Sequence, residues 1–254
     1  MPEQPLSPAP RHGEPLGAAG WYGKLPGLGD FAGRRMSHTL ESEWDTWLRA
    51  GMDELRALNA EGWTSAFVTA PVWFFVASAT ATRSALVGAL APSMDRVGRY
   101  YPLTILAAPP LPGSGLADDP RLRAFFSGAR AAIVDARRQT LSAQALDERV
   151  SHLAPPFDPL GAAPREPSLI DDILSDLSEA STERHGPDAT VELPRGEWRE
   201  WLRRIGAHSV WWVSPTAHAR YRDVVHHGSL DRTLFCQLFS TPAYADPNPA
   251  PTTS

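Results

Sequence analysis

The chain has 254 residues, 43% hydrophobic and 21% charged, a balance that suits a soluble globular protein with a sizeable core. A formal charge of −5 gives no general attraction to phosphate backbones or anionic lipid, so nucleic acid and membrane surfaces are excluded as expected partners. One cysteine, Cys236, leaves no intramolecular disulfide and no paired-cysteine zinc site. Because it sits among Leu234, Phe235 and Leu238, it reads as a buried thiol.

Residues 1–19 are rich in proline and poor in large apolar side chains, which predicts a disordered tail, and residues 241–254 read the same way. No apolar stretch follows a basic start, and no segment reaches the roughly 18 apolar residues of a membrane span, so the expectation is a cytoplasmic protein. Between the tails a single domain is expected over residues 20–240. Proline-rich joints fall at 109–120 and 155–167, and a loose polar connection at 178–194.

The stretch YGKLPGLGDF, Tyr22 to Phe31, reads as a glycine-punctuated loop and holds Lys24, the sole lysine of a chain that otherwise uses arginine. An ammonium is a compact point charge and a guanidinium a flat fork, so retaining lysine at one position suggests a narrow site. GLGDFA, Gly27 to Ala32, fits the outline of a dinucleotide fingerprint, but a proline stands where that motif needs an apolar strand. Leu40 to Leu58 then predicts a helix, with Trp44, Trp47, Leu48, Met52 and Leu55 along one face.

Ser65 to Ser78, rich in valine and aromatics but interrupted by Pro71, reads as two short strands or one bent edge strand. Ser84 to Ser93 and Tyr100 to Pro110 read as two more strands. Their short connections favour antiparallel pairing. Asp118, Asp119 and Pro120 announce a helix whose buried stripe is Leu122, Phe125, Phe126, Ala129 and Ile133.

Ser168 to Leu177 and Glu197 to Gly206 read as further helices, HSVWWVS as a strand, and about Asp231 to Phe239 as a last helix. The expected fold class is α/β in the α+β sense: a mainly antiparallel sheet sandwiched by helices.

Catalytic patterns are sought and not found. No G-x-S-x-G elbow exists, the phosphate-loop pattern fails around Lys24, and His226 and His227 are adjacent and point apart on regular structure. Asp118 with Asp119, and Asp171 with Asp172, sit where helix starts favour negative charge. Two charged, glycine-bearing stretches remain: Lys24, Asp30 and Arg34 in the first, and Asp95, Arg96 and Arg99 in PSMDRVGRYYPLT. These six residues are the candidate site, either facing a partner or locking the loops to each other.

GWYGKLPGLGDF with the following RRM, ESEWDTWL, TAPVWFF and APSMDRVGRYYPLTI, in that order over roughly Gly20 to Pro109, resemble the TagF family of type VI secretion-associated proteins. The resemblance implies a bacterial cytoplasmic repressor that acts after translation on assembly or firing of the secretion machine. It implies engagement of other components, notably a scaffold with a forkhead-associated domain, and supplies no catalytic residue, cofactor or metal. The competing expectation is a phosphoester hydrolase or transferase using Asp30 and Asp95, with Arg96 and Arg99 as anion clamps. A weaker third is an adaptor displaying Trp21 and Trp63.

Overall fold

A computed structural model describes residues 18–79, 84–108, 120–154, 156, 207–215 and 221–240. The helices expected at 168–177 and 197–206, the tail at 241–254, residues 1–17 of the other tail, and most of the two connections at 155–167 and 178–194 lie outside the described residues; Ala19, expected in the disordered tail, is instead packed in the core.

Seven strands form one antiparallel sheet: β1 (Gly20–Lys24), β2 (Phe31–Arg34), β3 (Trp73–Ala79), β4 (Ser84–Ala91), β5 (Leu103–Ala107), β6 (Ala207–Val213) and β7 (Arg222–His227). Their order is β2-β1-β5-β4-β3-β6-β7, so β1 comes to lie beside β5 and β6 beside β3. Five helices are described: α1 (His38–Leu58), α2 (Trp63–Thr69), α3 (Pro120–Arg138), α4 (Ala143–Ser151) and α5 (Arg232–Phe239). The architecture is the α+β sandwich that the strand and helix patterns predict.

Both faces of the sheet are covered, and neighbouring side chains alternate between two cores as strand geometry requires. Tyr22, Phe75 and Trp211 face the α1, α2 and α5 side. Trp21, Phe74 and Trp212 face the α3 and α4 side. Ser37 caps α1 by accepting the Leu40 amide, and Asp231 caps α5 by accepting that of Leu234. The backbone carbonyl of Asp231 also accepts Trp47 Nε1–H at 2.8 Å, pinning the start of α5 to α1.

Two expectations are corrected. Residues 63–69 form helix α2, not a strand, and Pro71 ends it: Ala70 is pushed to an extended φ/ψ of −61°/141°, as the residue before a proline must be. The valine and aromatic content after Pro71 does form strand β3, while before it Phe67 is buried from a helix. The Tyr22 to Phe31 stretch is not all loop, since Lys24 ends β1 and Arg34 ends β2. Two glycines in a five-residue strand hide the strand pattern. Gly23 is required there: its φ is +143°, and an added Cβ would lie 2.2 Å from the Pro102 carbonyl oxygen on β5's approach.

Candidate functional site

The turn between β1 and β2 and the loop joining β4 to β5 meet at one end of the sheet. The Arg96 amide donates to the Leu28 carbonyl at 2.7 Å, the Arg99 guanidinium donates to the Gly29 carbonyl, and Ser93 Oγ donates to the Lys24 carbonyl at 2.8 Å. Within the second loop, Tyr101 N–H bonds Ser93 O at 3.0 Å and Met94 bridges Tyr100. Its tip is thereby closed.

Asp95 is the centre of this junction. Its side chain is fully buried; Oδ2 accepts Lys24 Nζ at 2.8 Å and Arg99 Nε at 2.6 Å, while Oδ1 accepts the amides of Val97 and Arg99 at 3.1 and 2.9 Å. Burial alone would raise this carboxyl. The hydrogen bonds from Lys24 and from the Arg99 amide and guanidinium outweigh it and hold the group well below the usual carboxylate range. Lys24 is itself buried, at 5% exposure, and its ammonium lies 4.8 Å from the centroid of Phe31.

The other sequence candidates stand apart from this pair. Asp30 is exposed and its carboxylate accepts the Phe31 amide at 2.8 Å. Among the described residues Arg34 reaches the neighbouring Gly33 carbonyl, at 2.7 Å. Arg96 is exposed, contributes its backbone to the junction, and has no side-chain ion pair among the described residues. Asp30 and Asp95 therefore do not form a shared carboxylate pair. One is a solvated turn residue and the other a buried lock.

A second acidic centre is missing from the sequence reading. Asp45 on α1 accepts the hydroxyls of Tyr22 and Tyr101 on Oδ1, each at 2.7 Å, and Arg49 Nε on Oδ2 at 2.5 Å. Burial pushes its carboxyl up, but these three hydrogen bonds dominate and the net direction is down. Burial first, and then Asp45, push both tyrosine hydroxyls well above their ordinary value. Neither phenol ionises in any physiological range.

Phe31 links the two centres. Its ring meets the edge of Tyr101 at 4.8 Å and lies 4.8 Å from the Arg49 guanidinium as well as from Lys24. One signal for this arrangement was available: Asp45 and Arg49 are four apart on a helix, where such pairs face each other. The tyrosine partners come from distant strands and carry no spacing signal.

Beside these networks lies an open cleft of about 600 Å³ lined in part by Lys24, Phe31, Arg56, Trp63 and Arg99. Trp63 is half-buried there, under the Arg56 guanidinium at 4.9 Å. Trp21 is fully buried, its Nε1–H donated to Asp147 Oδ1 at 2.9 Å, so it is not available as a displayed anchor. Asp147 also pairs with Arg35 at 2.8 Å. Cys236 is buried, and burial, with Glu54 and Asp231 nearby, pushes its thiol up and away from a reactive thiolate. Among the described residues no group of three or more His, Cys, Asp or Glu side chains is placed to hold a metal ion, and no helix is long and apolar enough to cross a membrane.

Residues 20–153 match the family described as the TagF N-terminal domain, type VI secretion system-associated. Among solved structures, PA0076 from Pseudomonas aeruginosa PAO1 is similar with a TM-score of 0.60 and 24% sequence identity, covering 91% of this chain and 99% of that one. At that identity the likeness is one of fold. No curated protein matches the chain.

Proposed function

The chain belongs to the TagF family of type VI secretion-associated proteins, and from that membership we propose that it is a cytoplasmic, post-translational repressor of the secretion machine. It restrains assembly or firing by protein–protein contact, with a scaffold bearing a forkhead-associated domain as its partner, and makes or breaks no covalent bond.

The observation that carries this reading is how the charges at the sheet end are used. Asp95 accepts from Lys24, Val97 and Arg99 and is buried beneath them, which supports a lock between the loops over a base or a metal ligand. What the locked loop presents outward is Arg96 together with Met94 at 41% and Val97 at 66% exposure. A cation flanked by exposed apolar side chains on a rigid loop suits recognition of another protein, since such loops carry binding disproportionately and lose little entropy on docking.

The test pairs Arg96→Glu with Val97→Glu. Both side chains are exposed, so the expected change in melting temperature is small, within the ~0.5 kcal/mol typical of surface substitutions. Binding of the purified forkhead-associated scaffold should fall at least tenfold, and cells carrying the variant should secrete as cells lacking the chain do. Unchanged secretion on deleting the chain overturns the reading, as does full binding and repression by the double variant.

A further inference from the structure

A second, smaller concavity, an open groove of about 370 Å³, shares Tyr100 with the cleft of about 600 Å³ and is lined in part by Pro26, Val68, Pro92, Met94, Tyr100 and Val134. Its floor is apolar, and Val68 and Met94 are exposed at 36% and 41%. Ser93 and, in the last turn of α3, Arg137 and Arg138 complete the lining. A groove of this size falls at the lower end of the ~300–1,000 Å³ of ligand clefts.

Six arginines, Arg35, Arg49, Arg56, Arg99, Arg149 and Arg232, each meet a carboxylate. Arg137 and Arg138 have no carboxylate or hydrogen-bond partner among the described residues, and Arg137 is half-buried. Burial, with the charge of Arg138 beside it, pushes the Arg137 guanidinium below its ordinary range. Basic residues in a last turn complement the helix dipole, which accounts for a cation at this place on α3. It does not account for a cation partly withdrawn from water against an apolar groove with no counter-charge among the described residues, because desolvating a charge without a partner is unfavourable.

We propose that this groove docks a segment of a partner protein in which an apolar side chain is followed or preceded closely by a carboxylate. The apolar side chain enters between Val68, Met94 and Val134, and the carboxylate meets Arg137 and Arg138. Charge complementarity fixes the acid: a planar guanidinium takes a carboxylate in paired, charge-assisted hydrogen bonds, and the half-buried position strengthens them. The apolar floor argues against a phosphate backbone, whose sugars and charges would leave it unfilled. The proposal rests on the protein-contact reading above and deepens it, since the loop that presents Arg96 also supplies Pro92 and Met94 to this groove.

The experiment selects a display library of random twelve-residue peptides on the immobilised full chain, then measures fluorescein-labelled copies of the enriched peptides by anisotropy. The expected result is enrichment of Asp or Glu within one to four positions of a large apolar residue. Affinity should fall tenfold or more with R137E/R138E and with M94E, change less than twofold with Arg232→Ala, and weaken as salt is added. Should R137E/R138E fail to fold, Arg138→Gln, at an exposed position, keeps the readout with a severalfold loss expected.

No enrichment above bare resin, enriched peptides without acidic bias, or equal binding by the variants overturns the proposal. So does displacement of the peptides by a short oligonucleotide at lower concentration than by unlabelled peptide. A dimeric mass in sedimentation that R137E/R138E abolishes overturns it in favour of a second copy of this chain. If the groove fails while Arg96→Glu with Val97→Glu still relieves repression, only this assignment falls; if deleting the chain leaves secretion unchanged, the regulatory reading falls with it.

Discussion

Lys24 is held to lysine by the space around Asp95. Its ammonium shares Oδ2 with Arg99 Nε and lies under Phe31, in a pocket that leaves the residue 5% exposed. Lys24→Met removes one partner of a buried pair while Arg99 and two amides remain, so a loss near the lower end of the ~3–5 kcal/mol range is expected by urea unfolding at pH 7. Lys24→Arg keeps the charge but needs room for a larger planar group, and about 1–3 kcal/mol of overpacking cost is expected. The pH dependence follows from the depressed Asp95 carboxyl. A carboxyl whose folded value lies below its unfolded value, about 3.9, adds stability above that unfolded value and loses it as pH falls toward the folded one. The gap between wild type and Lys24→Met should therefore be full at pH 6–7 and narrow steadily below about pH 4. A gap independent of pH would show that packing, not the ion pair, sets the cost. That Lys24 is special was legible from its solitude in the sequence, and that Asp95 lies in the same cluster from the density of charge. The identity of the bond was not, because Arg96 and Arg99 offered equally good partners on paper, and a backbone turn decides which of them points inward.

At the scale of elements, amphipathic helices were the most legible and short strands the least. α1, α3 and α5 each show an apolar face at helical spacing, and each lies near its expected bounds. β1, β2 and β7 have four to six residues and carry glycine, arginine or histidine instead of clean alternation, so nothing local marks them. α2 was misread because its short stretch with Phe67 and Val68 adjoins the valine and aromatic run of β3, and a short segment does not separate helix from strand by periodicity. The join of α1 to α5 gives a sharper test. An added Cβ at Gly51 would lie 2.1 Å from Phe235 Cγ and 2.4 Å from its Cβ, the root of that side chain rather than a movable tip. Gly51→Ala should gain about 1 kcal/mol of helix propensity. The clash forces α5 outward or Phe235 off its rotamer, at about 1–3 kcal/mol or more. Net destabilisation by thermal unfolding is expected, and adding Phe235→Leu, which keeps both the Cβ and the Cγ that clash, should not relieve it. A Gly51→Ala variant more stable than wild type would mean that α5 shifts freely on α1.

The whole molecule sets how far the family match can stand alone. The matched residues end at 153, yet β6 lies beyond them and pairs with β3, and α5 covers α1. Removing everything after residue 153 strips Trp211, Leu234, Phe235, Leu238 and Phe239 from one core and Val210 and Trp212 from the other. Burial of a large apolar side chain contributes roughly 1.5–3 kcal/mol. Even five such losses approach or exceed the roughly 5–15 kcal/mol that a domain has in total. The truncation also turns β3 from an interior strand into an edge whose Phe74–Ala77 backbone, paired with β6 in the whole chain, faces solvent. A fragment of residues 18–153 should therefore keep helical circular dichroism, lose cooperative thermal unfolding, bind a hydrophobic dye and aggregate at micromolar concentration. Adding residues 154–240 as a separate chain should restore a cooperative transition, because the missing strand and helix supply surface to both cores at once. A fragment that unfolds in one sharp step with dispersed amide resonances would show the opposite. The N-terminal match would then be an independent domain, and β6 with α5 would be a removable cover.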